Sequence, residues 1–286
     1  MRLVARVPAT SANLGPGFDC FGLALDLCNE VAIDTDAEPG VSWEGEGAGE
    51  LPTDGSDRVS RAIARVAEAA GIRVPRFALR GRNRIPLASG LGSSAAAAVA
   101  GVALGGALVG ESRADPVATF AVAAELEGHP DNAAPAVFGG FTIVAGDLVE
   151  RLDPHPGLRP VVLIPEGVRV STEAARRALA DPVAREDAVF NVAHAALTMA
   201  RILRDPDRLG PAMRDRLHED ARLALVPEVR PVFDRLRGDD VPVCVSGSGP
   251  ALLAFERDAR PVPDPGSGWR VLRLAVRAEG VQVTTG

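Results

Sequence analysis

Apolar residues along the chain either alternate with polar ones or recur every three to four positions, and these two patterns predict strands and helices. The predicted strands are Arg2–Val7, Phe21–Ile33, Phe77–Leu79, Phe138–Val144, Pro160–Ile164, Val241–Val245, Ala251–Phe255 and Val271–Val276. The predicted helices are Ser56–Ala70, one from about Ser93, Pro116–Leu126, Thr172–Leu179, Ala188–Leu203, Leu209–Leu217 and Pro227–Leu236. Both types of element occur in both halves of the chain, which indicates an α+β protein.

A proline-rich segment, Asp153–Gly157, is the predicted linker between two domains. The length of 286 residues is enough for two domains of ordinary size. We therefore expect one domain over residues 1–155 and a second over residues 156–286.

An uncharged stretch, Ile85–Gly110, is long enough to cross a bilayer on length alone. It consists mostly of Ala, Gly and Ser, which contribute little transfer free energy compared with Leu and Phe. We therefore expect a helix that is buried in protein and packs closely through its small residues, and no association with a membrane. The N-terminal MRLVARVPAT has no apolar signal core, which favours a cytoplasmic location.

The charged and sulfur-containing residues exclude several functions. The chain has 31 basic and 38 acidic residues and a net charge of −7, which argues against nucleic-acid binding because that function needs a basic face. All basic residues are arginine, which excludes a Schiff base with pyridoxal phosphate and the lysine of a standard P-loop. The three cysteines, Cys20, Cys28 and Cys244, lack the spacing of a disulfide framework or a zinc site.

The segment Pro86–Ala96, PLASGLGSSAA, has the composition of a phosphate-binding loop. Gly90 and Gly92 allow the backbone to turn with exposed N–H groups, and Ser93 and Ser94 stand where the alanine-rich helix begins. The N-terminus of a helix binds phosphate through free amides and the positive end of its dipole, and a hydroxyl there can ligate Mg²⁺. A plain Gly-Ser helix cap explains the same pattern equally well.

Two further polar clusters could carry chemistry. The segment Glu125–Asn132 brings two glutamates, His129 and Asp131 together, a set that could hold Mg²⁺ and orient a hydroxyl, or could form a capping turn after Pro130. The glycine loop Ser246–Pro250 could approach a ligand closely or could join two strands of a hairpin. Arginines clamp carboxylates bidentately, and Arg176, Arg177 and Arg222 are candidates for that role or for ordinary surface charges.

These motifs, taken together and in this order, resemble the GHMP small-molecule kinases. PLASGLGSSAA is similar to the phosphate loop of that superfamily and SGSGP to its late glycine loop, while PATSANLGPGFD (Pro8–Asp19) and EGHPDNAAP (Glu127–Pro135) are similar to its homoserine kinase branch. The resemblance extends from the first strand to beyond Phe255. It implies an α+β, two-domain fold with an N-terminal nucleotide-binding α/β domain, a C-terminal ferredoxin-like domain and an active site in the cleft between them.

The resemblance also implies a reaction, the transfer of the γ-phosphate of ATP to the side-chain hydroxyl of L-homoserine in threonine biosynthesis, with Mg²⁺. It places ATP on Pro86, Leu87, Ala88, Ser89, Gly90, Leu91, Gly92, Ser93, Ser94, Ala95 and Ala96. The implied metal ligands are Ser94 and Glu127. The implied substrate-binding residues are Asn13, Asp19, His129, Thr172, Arg176 and Arg222, and the implied catalytic residues are Asp131, Asn132 and Arg176.

One departure from the family pattern affects the expected site, because Asp57 stands where the family often has asparagine in the adenine pocket. Relatives such as mevalonate kinase use an aspartate as the base, whereas the homoserine kinase branch carries asparagine at the matching place, here Asn132. We therefore hypothesise that no strong side-chain base operates. The alternatives are a GHMP kinase with another alcohol acceptor and a non-catalytic sensor with the same fold, and a homodimer is possible because relatives often form one.

Overall fold

The computed structural model describes residues 1–110, 115–180, 182–257 and 260–286. The strands are β1 (Arg2–Ala12), β2 (Phe21–Asp34), β3 (Gly40–Gly45), β4 (Ala78–Asn83), β5 (Phe141–Ala145), β6 (Leu148–Leu152), β7 (Arg159–Pro165), β8 (Val243–Val245), β9 (Leu252–Glu256), β10 (Trp269–Arg273) and β11 (Gln282–Thr285). The helices are α1 (Arg58–Ala69), α2 (Ser93–Leu108), α3 (Pro116–Glu127), α4 (Ala133–Phe138), α5 (Thr172–Arg177), α6 (Arg185–Arg204), α7 (Glu219–Ala224) and α8 (Arg230–Gly238), and two short 3₁₀ helices lie between α6 and α7.

The strands of the first half of the chain and β11 from its C-terminal end form a sheet in the order β11-β1-β2-β4-β3. Strands β5 and β6 extend this sheet from β2. The long hairpin of β1 and β2 pairs from Arg2 with Asp34 to Ala12 with Gly22, with one register shift between Pro8 and Ala9. Helix α2 packs on β1 and contacts α1, α3 and α4. The ends of β1 and α2 that meet in this layer carry the loops of the site described below.

The second half forms a four-stranded antiparallel sheet in the order β10-β7-β9-β8. Helices α7 and α8 contact β8, and a separate apolar core lies between these helices and the sheet. The α+β fold class expected from the pattern of strands and helices is confirmed.

Helix α2 is nearly all buried and packs through its small residues, as its composition predicts. A Cβ atom at Gly101 would lie 2.5 Å from the carbonyl oxygen of Val59 and 2.6 Å from the Cβ of Ala62, both on α1. Only glycine allows the two helices to approach this closely. Across the described residues we find no helix with the length and apolar character that a membrane span requires.

Several elements differ from the sequence prediction. The first strand does not stop at Pro8 but continues to Ala12, because the bulge beside Pro8 accommodates the missing N–H donor. Strands β3 and β6 and helix α4 were not predicted, since each is short and lacks a clear periodicity. The prediction of a helix over Leu209–Leu217 is wrong: a 3₁₀ turn covers Gly210–Met213, Arg214 is extended, and helix α7 begins only at Glu219.

The end of the chain returns to the first sheet. Strand β11 pairs antiparallel with β1, from Leu3 with Thr285 to Arg6 with Gln282. The division into residues 1–155 and 156–286 stays a prediction, with the difference that Gln282–Thr285 lies in the sheet of the first half.

Candidate active site

The predicted phosphate loop is a tight turn that leads into α2. Gly90 and Gly92 have φ values of +85° and +66°, in the left-handed region that favours glycine. A Cβ atom at Gly92 would lie 2.0 Å from the Oγ1 of Thr10, so this position also lacks room for a side chain. No side chain caps the N-terminus of α2, and the first-turn amides of this helix therefore remain available to an anion.

The glycine loop Ser246–Pro250 joins the second sheet to the phosphate loop. The Ser246 hydroxyl donates to the carbonyl oxygen of Gly90 at 2.8 Å and lies 2.8 Å from the hydroxyl of Ser11. The Gly247 amide donates to the carbonyl oxygen of Ala12, at the end of β1. The loop therefore does more than connect two strands, because it fixes the position of the phosphate loop relative to β1.

A cleft of about 230 Å³ lies beside these two loops. Its walls include Asn13 and Asp19 from the β1–β2 loop, Arg176 from α5 and Arg222 from α7. Arg176 binds Asp19 bidentately, with N–O distances of 2.9 and 3.1 Å, and both side chains are about one-third exposed, at 37% and 35%. The cleft therefore contains a partly exposed ion pair that a charged ligand can reach.

Arg222 is buried, and hydrogen bonds to His218 and Gly247 fix its side chain. Its Nη1 donates to the carbonyl oxygen of Gly247 at 2.6 Å and to the Nδ1 of His218 at 3.2 Å, while the Nε has no hydrogen-bond partner among the described residues. His218 donates from Nε2 to the carbonyl oxygen of Gly15. Burial lowers the pKa of His218 to about 4, against the opposing effect of Asp215, so the imidazole is neutral at pH 7 and can accept from Arg222.

His129, Asp131 and Asn132 lie together at the start of α4. The Nδ1 of His129 is 3.1 Å from the Oδ1 of Asp131, and this hydrogen bond raises the pKa of His129 although burial opposes it. The Oδ1 of Asn132 accepts from the Thr10 hydroxyl at 2.7 Å. The Nδ2 of Asn132 donates to the Oδ1 of Asp131 at 3.4 Å, and this amide group is a donor that cannot remove a proton.

Ser94 and Glu127, the two predicted metal ligands, are in contact. The Ser94 hydroxyl donates to the Oε2 of Glu127 at 2.5 Å, and the Oε1 accepts from the Nη1 of Arg58 at 2.8 Å. The Glu127 side chain is only 2% exposed. A hydroxyl and a carboxylate at the N-terminus of α2 are oxygen ligands of the type that Mg²⁺ prefers.

A second, more apolar cleft of about 470 Å³ lies on the other side of the phosphate loop. Trp43, Leu51 and Val59 supply much of its apolar wall, and Ser93 and Ser94 line both clefts. Asp57, the departure from the family pattern, also lines this cleft. Its side chain caps α1 by accepting a hydrogen bond from the backbone N–H of Ser60 at 2.9 Å. The shape and lining suit a nucleoside base and sugar.

The structure brings most of the predicted site residues to these clefts, although their roles stay predictions. The first cleft is lined by Asn13, Asp19, Ala88, Ser89, Gly90, Gly92, Ser93, Ser94, His129, Asp131, Asn132, Thr172, Arg176 and Arg222. The second cleft is lined by Leu87, Ala88, Ser93, Ser94 and Ala96. Pro86, Leu91 and Ala95 are buried and line neither cleft, so they shape the loop rather than face a ligand. The buried side chain of Glu127, a predicted metal ligand, lines neither cleft and reaches them only through its contacts with Ser94 and Arg58.

Sequence reasoning missed other residues of the site. Ser171 and Ser248 line the first cleft, Trp43 lines the second, and Arg58 lines both. Two signals could have identified the serines: Ser248 belongs to the SGSGP motif, and Ser171 precedes α5 at its N-cap position. Nothing in the sequence indicated Trp43, because its strand β3 was not predicted. Arg177, in contrast, pairs with Glu173 on the exposed side of α5, outside the site.

Comparisons with known proteins agree with this geometry. The models for the GHMP kinases N terminal domain and the GHMP kinases C terminal match residues 57–140 and 193–262. The chain is 42% identical to the homoserine kinase of Leifsonia xyli over 98% of this chain and 91% of that one, and 42% identical to that of Clavibacter michiganensis over 99% and 94%.

Solved structures give the same result. The crystal structure of homoserine kinase from Cytophaga hutchinsonii has a TM-score of 0.85 at 30% identity, covering 99% of this chain and 97% of that chain. The crystal structure of a mevalonate kinase, with a TM-score of 0.72 at 12% identity over 96% and 99% of the two chains, shares the fold. With these relatives and the two clefts around the phosphate loop, the chain belongs to the homoserine kinase family of the GHMP kinases, which are ATP-dependent enzymes.

Proposed function

We propose that the chain phosphorylates the side-chain hydroxyl of L-homoserine with ATP and releases O-phospho-L-homoserine and ADP. The observation that supports this most directly is one cleft lined both by the phosphate loop and by Asp19, Arg176 and Arg222. An amino acid with a hydroxyl side chain can place its charged groups on these three residues and extend its hydroxyl toward the phosphate loop.

The ion pair between Asp19 and Arg176 suits a zwitterionic ligand. The ammonium group of L-homoserine would pair with Asp19, beside Asn13. Its carboxylate would bind Arg176 and Arg222. The exchange replaces one ion pair with two, so both carboxylates in the cleft have a positive partner. Arg222 lines the cleft, and a guanidinium group can bind a carboxylate bidentately. An acceptor such as mevalonate has no ammonium group and cannot replace the pair in this way, which disfavours the alternative acceptors.

A divalent metal fits the other side of the loop. Ser94 and Glu127 would hold Mg²⁺ together with the phosphates of ATP, since Mg²⁺ is usually bound by one or two protein groups and by substrate phosphates. When bound, the ion neutralises phosphate charge; the α2 amides and Ser93 orient the triphosphate.

Transfer of the phosphoryl group depends on positioning and on charge neutralisation rather than on a strong base. Asn132 presents an amide donor to the cleft, and we infer that the hydroxyl proton leaves late or passes to the phosphate itself. Replacing Asp131 with Asn tests this inference. We expect Asp131→Asn to lower kcat by less than about 100-fold, because a general base typically contributes 10²- to 10⁴-fold. A variant that binds both substrates normally and has no measurable turnover would make Asp131 the base.

The first experiment is a coupled assay of ADP release with Mg²⁺-ATP and one acceptor at a time. L-homoserine is compared with L-serine, L-threonine, mevalonate and no acceptor. We expect a high rate with L-homoserine alone. A higher rate with mevalonate would identify another alcohol acceptor, and nucleotide binding without turnover of any acceptor would favour a sensor.

Homodimerisation and a cytoplasmic location remain proposals. Helix α6 exposes Val189, Val192 and Leu197, which are 63%, 73% and 47% exposed and lie along one side of the helix. Exposed apolar stripes of this kind are typical of subunit contacts. Light scattering of the purified chain and of Val192→Glu measures whether a dimer forms and whether it uses this stripe.

A further inference from the structure

Arg58 lines both clefts, although neither the sequence motifs nor the family resemblance assigns it a role. It is the first residue of α1, and its side chain is 59% exposed. A positive side chain in the first turn of a helix is opposed by the helix dipole. Local helix stability therefore does not explain an arginine at this position.

The only ion pair of Arg58 among the described residues is with Glu127, at 2.8 Å. The Glu127 carboxylate is buried, and Arg58 and Ser94 occupy both of its oxygens. A buried carboxylate is costly without a positive partner. Arg58 is therefore the cation that neutralises Glu127 while no metal or nucleotide is bound.

A divalent cation on Glu127 would compete with Arg58 for the same carboxylate. The guanidinium would then lie close to a second positive charge and to the N-termini of α1 and α2, and each of these repels it. A polyanion at the phosphate loop removes this conflict. An exposed arginine has the length and freedom to move from a carboxylate to a phosphate, which its planar donor group matches bidentately.

We propose that Arg58 pairs with Glu127 in the nucleotide-free enzyme and contacts the triphosphate when Mg²⁺-ATP binds. This inference rests on the proposed ATP-dependent reaction and adds to it a phosphate-binding residue. It concerns the nucleotide and is independent of which alcohol accepts the phosphate.

The test compares two arginines of α1. Arg65 pairs with Glu125 of α3 at 3.4 Å, as Arg58 pairs with Glu127 of the same helix, but Arg65 lines neither cleft. Isothermal titration calorimetry measures the affinity of the wild type, Arg58→Ala, Arg58→Lys and Arg65→Ala for adenosine and for the non-hydrolysable analogue AMP-PNP with Mg²⁺. Arg58→Ala removes the cation from the buried Glu127 carboxylate and is expected to lose stability, whereas Arg58→Lys keeps the charge. Thermal unfolding of each variant therefore accompanies the titrations, and only variants that are folded at the titration temperature are compared.

We expect Arg58→Ala to weaken AMP-PNP binding about tenfold or more, the size of a lost charged hydrogen bond, and to leave adenosine binding unchanged. Arg58→Lys should recover part of the affinity, Arg65→Ala should match the wild type, and the KM for L-homoserine should not change in either alanine variant. Equal affinities of Arg58→Ala and Arg65→Ala for AMP-PNP, or a parallel loss of adenosine binding in Arg58→Ala, would overturn the inference. The absence of L-homoserine turnover would instead contradict the proposed function, since these affinities are measured without an acceptor.

Discussion

Single residues of one type have different tasks in this site. Arg176 is partly exposed and is paired with Asp19, whereas Arg222 is buried and held by His218 and by the carbonyl oxygen of Gly247. An arginine on an ion pair can exchange partners, while an arginine fixed from behind presents its remaining donors in one geometry. We therefore expect Arg222 to set the orientation of the bound carboxylate.

Replacing Arg222 with Lys tests this orientation. The variant keeps the positive charge but loses the planar donor group, so we expect kcat/KM for L-homoserine to fall about 10- to 100-fold. The KM for ATP should change little. Arg177→Ala is the matched control, because Arg177 lies next to Arg176 but pairs outward with Glu173, and it should keep wild-type kinetics. A loss confined to the KM for ATP would place Arg222 on the phosphates instead.

Among the elements, the turn before α2 depends on glycine for two separate reasons. Gly92 has a positive φ, and Thr10 occupies the place where its Cβ would lie. Thr10 is in turn bonded to Asn132, so a side chain at Gly92 would disturb two parts of the site.

Comparison of Gly92→Ala with Gly71→Ala separates strain from contact. Gly71 follows α1 with a φ of +67°, close to the +66° of Gly92, but has open space around it. Both variants should lose about 1–2 kcal/mol of stability from the backbone strain. Only Gly92→Ala should also lose activity. We expect its kcat/KM to fall by about tenfold or more, because the new methyl group would displace Thr10 and misplace groups of the site. Urea unfolding and steady-state kinetics measure the two effects, and equal activities would contradict the role of the contact.

His218, the residue before helix α7, makes the stability of the protein depend on pH. His218 has a pKa of about 4 in the folded chain, below its ordinary 6.5. Between these two pH values the unfolded chain binds a proton at His218 and the folded chain does not. The free energy of unfolding is therefore unaffected by His218 above pH 6.5 and decreases by up to about 3 kcal/mol as the pH falls toward 4.

His218→Gln removes this titration. The difference in free energy of unfolding between wild type and variant should be largest near pH 7 and should shrink as the pH falls to 4. Urea denaturation at several pH values measures it. A difference that is constant with pH would show that His218 is not held neutral.

At the scale of the whole molecule, the two halves of the chain are joined at both ends of β1. Ser246 and Gly247 connect the second sheet to the phosphate loop and to β1, and β11 returns from the C-terminal half to pair with β1. The strand that carries the substrate loop at one end is therefore held along its length by residues far away in sequence.

Deleting residues 282–286 tests the second of these connections. Without β11, β1 becomes an edge strand and loses its backbone pairing over Leu3–Arg6. We expect the Tm to fall by roughly 5 °C or more, because about 1 kcal/mol corresponds to a few degrees in a protein of this size. Since β11 lines neither cleft, kcat/KM at 20 °C should remain unchanged. An unchanged Tm would show that the strand adds no stability.

The sequence by itself determined the parts of this protein that depend on local chemistry. Gly90 and Gly92 predict a tight turn, Ser93 the start of a helix and the alanine-rich run a buried helix, because each follows from the backbone freedom or size of the residue itself. The order of the motifs also indicated the family. The tertiary structure decided what depends on distant partners: Arg58 on Glu127, His218 behind Arg222, and β11 on β1. No periodicity encodes such pairs, since their free energy comes from contacts that exist only after the chain has folded.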